Sequence, residues 1–312
     1  MLARAPTGAT LGEAVWIDLL SGSDAERTEV EAATRLRLPT KDDIEEIETT
    51  SRVYVEDGAL YVSTPILTGH DCAKDSLTAL GFVLTPKRLV TVRFADLPAF
   101  VELNQGFARL KAPTSADTFL RLLEIIVDHT ADALERAGAE LEGVSHAAFR
   151  SEARQRRHAR LSAELRASLR KLGRMSDGVS HLRDSLLGLG RIVAFVHEAA
   201  GDIELKLSPA RLNAIRADIA SLNDYQAHLT NKVQFLLDAT LGFISIQQNE
   251  IVKTLTVVSV VGVPPVLIAG IYGMNFRVMP ELNWALGYPF ALGLIVVSGL
   301  IPLVLLKWRG WM

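Results

Sequence analysis

The chain has 312 residues, 49% of them hydrophobic, with 36 acids against 33 bases and a formal net charge of −3. So close a balance gives no electrostatic footprint for nucleic acid. The single cysteine, Cys72, excludes an intrachain disulfide and suits a reducing compartment, and the first 14 residues lack the apolar core of a secretory signal.

In chain order, Ala14–Leu20 reads as a largely buried strand. Ser23-Asp24-Ala25-Glu26 is a capping box that opens a short helix ending before Pro39, and a second helical start covers Asp42 to Glu48. Arg52–Glu56 and Ala59–Thr64, joined by Asp57-Gly58, carry a hairpin signal. Gly81–Leu84 and Leu89–Arg93 suggest a second hairpin, so residues 1–113 are expected to form an α/β domain with a partly antiparallel sheet. From Thr114-Ser115-Ala116-Asp117 onward the pattern is helical over 114–207. One helix carries Phe119, Leu122, Leu123, Ile126, Thr130 and Leu134 on a single face. A basic helix from about Ser151 to Met175 and a third from about Ser176 towards Ala199 follow. Ser208-Pro209 supplies an N-cap and a first-turn proline. The seam Leu212, Ile215, Ile219, Leu222, Leu229, Val233, Leu236, Phe243 then predicts nearly one helix from Pro209 to about Tyr272. At 1.5 Å per residue that is on the order of 95 Å. It divides into a stalk, 208–253, and a span, 254–272, with partner helices expected along the seam.

Between Lys253 and Arg277 lie 23 residues without a formal charge, and between Glu281 and Lys307 lie 25 more. Roughly 20 apolar residues cross a hydrocarbon core, so both stretches, 254–272 and 287–306, read as membrane spans around a link of 273–286. Lys253, Lys307 and Arg309 flank one side, while the link offers only Arg277 against Glu281. That basic bias puts both termini, including the basic tail 307–312, in the cytoplasm and the link outside. Trp284, Tyr288, Trp308 and Trp311 fall near the interfaces.

Several local features compete with blander explanations. Asp42, Asp43, Glu45, Glu46 and Glu48 form either a solvated helix face or a weak divalent site. His70-Asp71-Cys72 offers transition-metal ligands, but three adjacent residues rarely converge on one ion. The basic helix with Arg154, Arg156, Arg157, Arg160, Arg170 and Lys171 has no interleaved aromatics, which favours a solvated or subunit-contacting face over nucleic acid. Gly188-Leu189-Gly190 lacks the rest of a dinucleotide fingerprint. No nucleophile motif, HExxH or P-loop is present, so nothing points to an enzyme or to a resident cofactor.

The link is more specific. Tyr272-Gly273-Met274-Asn275, Met279-Pro280-Glu281-Leu282 and Gly287-Tyr288-Pro289 resemble the signature of the CorA family of magnesium channels. Gly242-Phe243-Ile244, Gln248-Asn249, Val257–Val261, Pro264-Pro265, the tail Lys307–Trp311 and Ala14–Leu19 are similar to the family as well. The resemblance implies a homopentameric funnel in the inner membrane, its first spans lining a pore and its second spans facing lipid, that admits Mg²⁺, with Co²⁺ and Ni²⁺ as further cargo. It implies a selectivity ring at Asn275, presented by Tyr272, Gly273 and Met274, with Glu281 as the link's acid. The pore face is expected to include Asn249, Val252, Leu255 or Thr256, Ser259, Val263 and Val266. The resemblance also implies closure by Mg²⁺ bound between cytoplasmic subunits, for which Asp218 and Asp224 are the stalk candidates against an alternative as solvated surface acids.

Two positions depart from the family pattern: Val266 stands where threonine is frequent, and Arg277 where an acid commonly follows. Two other readings stay open, a proton-linked Zn²⁺ transporter of the same architecture and a membrane-anchored sensor or scaffold. Met274 favours the magnesium branch.

Overall fold

The computed structural model describes residues 2–5, 9–46, 52–71, 76–107, 113–152, 158–274 and 279–311. Two compact units emerge, Met1–Arg157 with Ala163–Asp238, and His158–Ser162 with Ala239–Met312.

The first unit is built on six strands, β1 (Leu2–Ala5), β2 (Trp16–Leu20), β3 (Val53–Glu56), β4 (Ala59–Leu67), β5 (Leu77–Leu84) and β6 (Leu89–Arg93). Their order is β1-β2-β6-β5-β4-β3. Every neighbouring pair is antiparallel except β2 with β6, where Trp16 lies opposite Leu89 and Asp18 opposite Thr91. The first expected hairpin forms with Glu56 opposite Ala59. Asp57 and Gly58 turn it at φ 49° and 73°, the left-handed pair that matches strand twist. The second hairpin forms as well, Leu84 opposite Leu89.

Side chains alternate across this sheet with a period of two, and both faces are covered. Ile17, Leu19, Tyr61, Val83, Val90 and Val92 pack towards α1 (Asp24–Thr34) and α2 (Lys41–Glu45), which contribute Val30 and Ile44. The capping box at Ser23 forms, and a second at Thr40 starts α2. Within the acidic cluster, Asp43 accepts the Thr40 backbone N–H at 2.8 Å, which holds its carboxyl below the ordinary range, and Lys41 pairs with Glu45 at 3.6 Å. Two of those acids thus have structural partners; Glu48 lies outside the described residues.

Trp16, Leu60, Val62, Leu80, Phe82 and Leu84 face the other way, into a core shared with α3 (Pro98–Phe107), α4 (Ser115–Glu152), α5 (His158–Ala199) and the first part of α6 (Pro209–Tyr272). The expected stripe of α4 from Phe119 to Leu134 is buried. Its start is capped by Thr114 Oγ1, which accepts the Asp117 N–H at 3.1 Å. Gly188 has a packing role instead of a phosphate one: a Cβ there would lie 2.0 Å from Thr64 Oγ1. Only glycine lets α5 rest this close on β4.

Four expectations need correction. The N-terminal stretch forms β1, which was not anticipated. Helix α3 was not anticipated either. The separate helices expected on either side of Met175 are one helix, because Leu172, Met175, Val179, Leu182 and Leu186 continue a single buried row with no breaker. The basic stretch begins within α4, which runs to Glu152, and Arg154, Arg156 and Arg157 lie outside the described residues.

Helix α6 runs unbroken over 64 residues with Pro264 and Pro265 in its interior, as the periodicity predicts. Its seam finds partners within its own chain. Leu212, Ile215, Ile219, Leu229, Val233 and Leu236 are buried in the core that α4 and α5 share. Arg211 clasps Glu124 of α4 at 2.8 and 3.0 Å, and Gln226 donates to the Val179 carbonyl of α5 at 3.3 Å. Over this stretch an intersubunit coiled coil is therefore not needed to bury the apolar face.

The second unit contains the rest of α6, a 3-10 turn at Pro280–Asn283 and α7 (Gly287–Trp308). Both helices are long and apolar enough to cross a membrane, with mean hydropathy of 2.1 and 2.5 in their most apolar windows.

Candidate functional site

Within the second unit, α7 covers one side of α6. Half-buried Val257, Val261, Pro264, Pro265, Ile268 and Tyr272 recur at helical spacing on that side. A Cβ at Gly299 of α7 would come within 3.2 Å of the Pro265 ring and 3.8 Å of the Val261 carbonyl. The two prolines donate no N–H, so they free the carbonyls of Val260 and Val261 one turn earlier.

A residue turns the helix by about 100°. Val252, Leu255, Ser259, Val263 and Val266 therefore lie on the side facing away from α7, and all five are exposed in the single chain, Val266 at 72%. Asn249 and Thr256 sit at the flank of this face. With Val252, Lys253, Arg309, Gly310 and Trp311 they line a hollow of about 430 Å³ beside the C-terminal tail. The Thr256 hydroxyl donates to the Val252 carbonyl at 2.8 Å, so its proton is used within the helix.

The helix ends at the motif. Gly273 N–H donates to the Ala269 carbonyl at 3.0 Å and to Gly270 at 3.2 Å, and Met274 N–H donates to Ile271 at 3.2 Å. Tyr272 is half-buried, while Gly273 and Met274 are exposed. Asn275 and Arg277 lie outside the described residues. The backbone of Glu281 belongs to the 3-10 turn. The link then closes with Gly287 N–H donating to the Trp284 carbonyl at 3.1 Å and with Trp284 against Phe290, centroids 6.0 Å apart.

In the first unit, Asp218 and Asp224 are both exposed and off the α6 seam. Asp218 stands near acids that no spacing rule groups. The Asp128 carboxyl of α4 is raised above the usual carboxylate range, by burial first. Glu102, Asp218 and Glu124 add like-charge repulsion, against the opposing pull of Arg121. Asp224 does not figure among these partners. Among the described residues, no three His, Cys, Asp or Glu side chains converge as ligands for one ion. Of His70-Asp71-Cys72, His70 meets His129 and Cys72 lies outside the described residues.

A mixed-sheet unit, one long helix and two apolar segments with Gly-Met-Asn between them in the sequence make up the build of a two-span membrane transporter. The family model for CorA-like Mg²⁺ transporter protein matches residues 12–307. The magnesium transport protein CorA of Escherichia coli K12 is 33% identical over 307 residues, covering 97% of this chain and 93% of that protein. The protein of the same name from Yersinia pestis is 32% identical over 307 residues, with the same coverage. The complete structure of the CorA magnesium transporter from Methanocaldococcus jannaschii superposes with a TM-score of 0.75 at 20% identity, over 95% of this chain and 91% of that one. The chain belongs to the CorA-like Mg²⁺ transporter family, a family of transporters and not of enzymes.

Proposed function

We propose that the chain is the subunit of a homopentameric Mg²⁺ transporter of the inner membrane, with both termini cytoplasmic. The observation that carries this reading is the face of α6 that α7 leaves uncovered, Val252 to Val266, with Ser259 on it and Asn249 and Thr256 at its flank. Two spans from one chain enclose no hydrated path, whereas repetition about an axis turns each residue of that face into a ring. Mg²⁺ is small, prefers octahedral oxygen and gives up water reluctantly. A ring of Asn275 carboxamides, held at the end of α6 by Gly273, hydrogen-bonds the waters of the hydrated ion without stripping them. The apolar rings at Val252, Leu255, Val263 and Val266 gate by dewetting. An inside-negative potential supplies about 2.3 kcal/mol per charge per 100 mV, roughly 4.6 for a divalent ion, so no ATP is required. Co²⁺ and Ni²⁺ are proposed as slower cargo. Proteoliposome flux with Mg²⁺, Co²⁺, Ni²⁺ and Zn²⁺, with the potential and the pH gradient set independently, tests the reading. Potential-driven Mg²⁺ entry is expected. Zn²⁺ entry that follows the pH gradient would assign the chain to proton-linked transport, and the absence of any flux to a sensor or scaffold.

Val266→Thr is expected to raise Mg²⁺ flux several-fold, because a hydroxyl ring lowers the barrier to a hydrated ion in an apolar stretch. Lower flux from a normally assembled variant would move the constriction elsewhere.

Regulation follows from Asp218. Mg²⁺ bound between cytoplasmic subunits at Asp218 would relieve the like-charge repulsion that this acid, with Glu102 and Glu124, places on Asp128, and so favour the closed state. Asp218→Asn is expected to leave currents that persist at internal Mg²⁺ levels that shut the unmodified protein. Unchanged inhibition in patch recordings would return Asp218 to the surface acids, and Asp224→Asn serves as the comparison.

A further inference from the structure

The hollow of about 430 Å³ at the flank of α6 has a lining that a pore does not require. Its tail side is fixed by a helix-ending turn. Trp311 N–H donates to the Leu306 carbonyl at 3.0 Å and Gly310 N–H to the Lys307 carbonyl at 3.1 Å, the paired bonds of a Schellman motif. Gly310 takes φ 72°, the left-handed conformation that this motif needs and that a side chain disfavours. The turn sets Arg309 and Trp311 along one side of the hollow, and Asn249, Val252, Lys253 and Thr256 of α6 line the rest.

The charge of this lining is one-sided. Among the described residues, neither Lys253 nor Arg309 has an ion-pair partner, and no acid lines the hollow. Glu250, the acid nearest Lys253 in the sequence, is absent from the lining. Lys253 stands just before the 23 uncharged residues of the first apolar stretch, and Arg309 follows the 25 of the second. Both cations therefore sit where the apolar segments meet water.

The neutral groups are equally defined. The Asn249 carboxamide and the Trp311 indole offer N–H donors. The Thr256 hydroxyl proton is committed to the Val252 carbonyl at 2.8 Å, which leaves its oxygen as an acceptor. Two cations and two neutral donors fit a phosphodiester, and an acceptor oxygen beside them fits a hydroxyl carried on the same headgroup. Val252 and the Trp311 ring supply apolar contact for glycerol and the first methylenes of an acyl chain, and indole belongs at this depth. The volume falls within the range of about 300–1,000 Å³ typical of ligand sites, far more than one water needs.

We propose that this hollow binds the headgroup of an anionic, hydroxyl-bearing glycerophospholipid, phosphatidylglycerol in class, from the cytoplasmic leaflet. Basic sites between spans on that side recognise anionic headgroups by the same chemistry. A zwitterionic headgroup sets its own cation against Lys253 and Arg309 and is disfavoured. Occupancy ties the end of the chain to α6. The proposal rests on the two-span reading with both termini cytoplasmic. Its test reads lipid binding without flux, so failure here and failure of the transport reading are distinguishable.

The full chain in mild detergent is titrated with phosphatidylglycerol or phosphatidylcholine, and bound lipid is counted by native mass spectrometry. One phosphatidylglycerol per chain is expected, held at least tenfold more tightly than phosphatidylcholine. Lys253→Gln and Arg309→Gln are each expected to weaken it at least about tenfold, the loss of a hydrogen bond to a charged group. Lys307→Gln removes the same charge from a residue outside the lining, about 200° around the helix from Arg309. That variant is expected to lose less than about fivefold, the share of diffuse surface attraction. Gly310→Val keeps every charge but opposes the left-handed turn, and a several-fold loss is expected. On the unmodified chain, phosphatidylglycerol with a photoreactive headgroup is expected to label residues 249–256 or 309–311, a measurement that stands whether or not the variants fold. Equal binding of the two lipids, Lys307→Gln as damaging as Arg309→Gln, displacement by millimolar inorganic phosphate, or labelling elsewhere would overturn the proposal.

Discussion

Asn275→Ala is expected to abolish selective Mg²⁺ uptake in proteoliposomes while leaving the size of the assembled protein on gel filtration unchanged. The expected loss is at least two orders of magnitude in flux. The carboxamide is the one side chain of the Gly-Met-Asn motif that both donates and accepts strong hydrogen bonds, and in the proposed ring it would meet the waters of the ion before the proposed apolar constriction. Removing it leaves methyl groups and backbone carbonyls, which neither replace those hydrogen bonds nor hold an octahedral hydration shell at the mouth. Assembly is expected to survive because the apolar face of α6 is untouched. Flux at the unmodified level with unaltered preference for Mg²⁺ over Co²⁺ would remove Asn275 from the selectivity assignment.

Legibility in the sequence tracked how local the determining physics is. The hairpin at Asp57-Gly58 was readable because two adjacent residues must adopt positive φ, and they do. Helix α6 was readable from Pro209 to Tyr272 because one apolar period runs through it with no Pro or Gly between Pro209 and Gly242. Strand β1 was not, because its four residues take their meaning from pairing with β2. The partner of the α6 seam was also hidden, since periodicity shows that a face is buried but not whether a neighbouring subunit or the same chain buries it. Least legible were the groupings around His129 and Asp128. His70 and His129 are 59 positions apart, and Glu102 reaches the pair from a third element, so no spacing rule gathers them.

The other large effect is on stability, at a buried ion pair in the sheet. Asp18 of β2 and Arg93 of β6 form a salt bridge of 3.0 Å with side-chain exposures of only 3% and 9%. Arg93 Nε adds bonds of 3.1 and 3.3 Å to the same carboxylate, and Thr91 Oγ1 donates to it at 2.7 Å. Trp16 Nε1 donates in turn to Thr91, and the Arg93 guanidinium lies 4.5 Å over the Phe100 ring. The network therefore joins the parallel strand pair β2–β6 to α3. Arg93→Leu strands a carboxylate in this core with one hydroxyl as its remaining partner, and breaking a buried pair in this way costs about 3–5 kcal/mol. Replacing both partners removes the stranded charge as well, and well-packed apolar substitutes are often close to neutral. The expected order of melting temperature, read by circular dichroism in detergent, is Arg93→Leu lowest, the Asp18→Leu/Arg93→Leu pair clearly higher, and the unmodified chain at or near the top. If the double variant melts as low as Arg93→Leu or lower, the cost comes from lost packing on Phe100 and lost bonds to the backbone, and the unpaired charge is not its source.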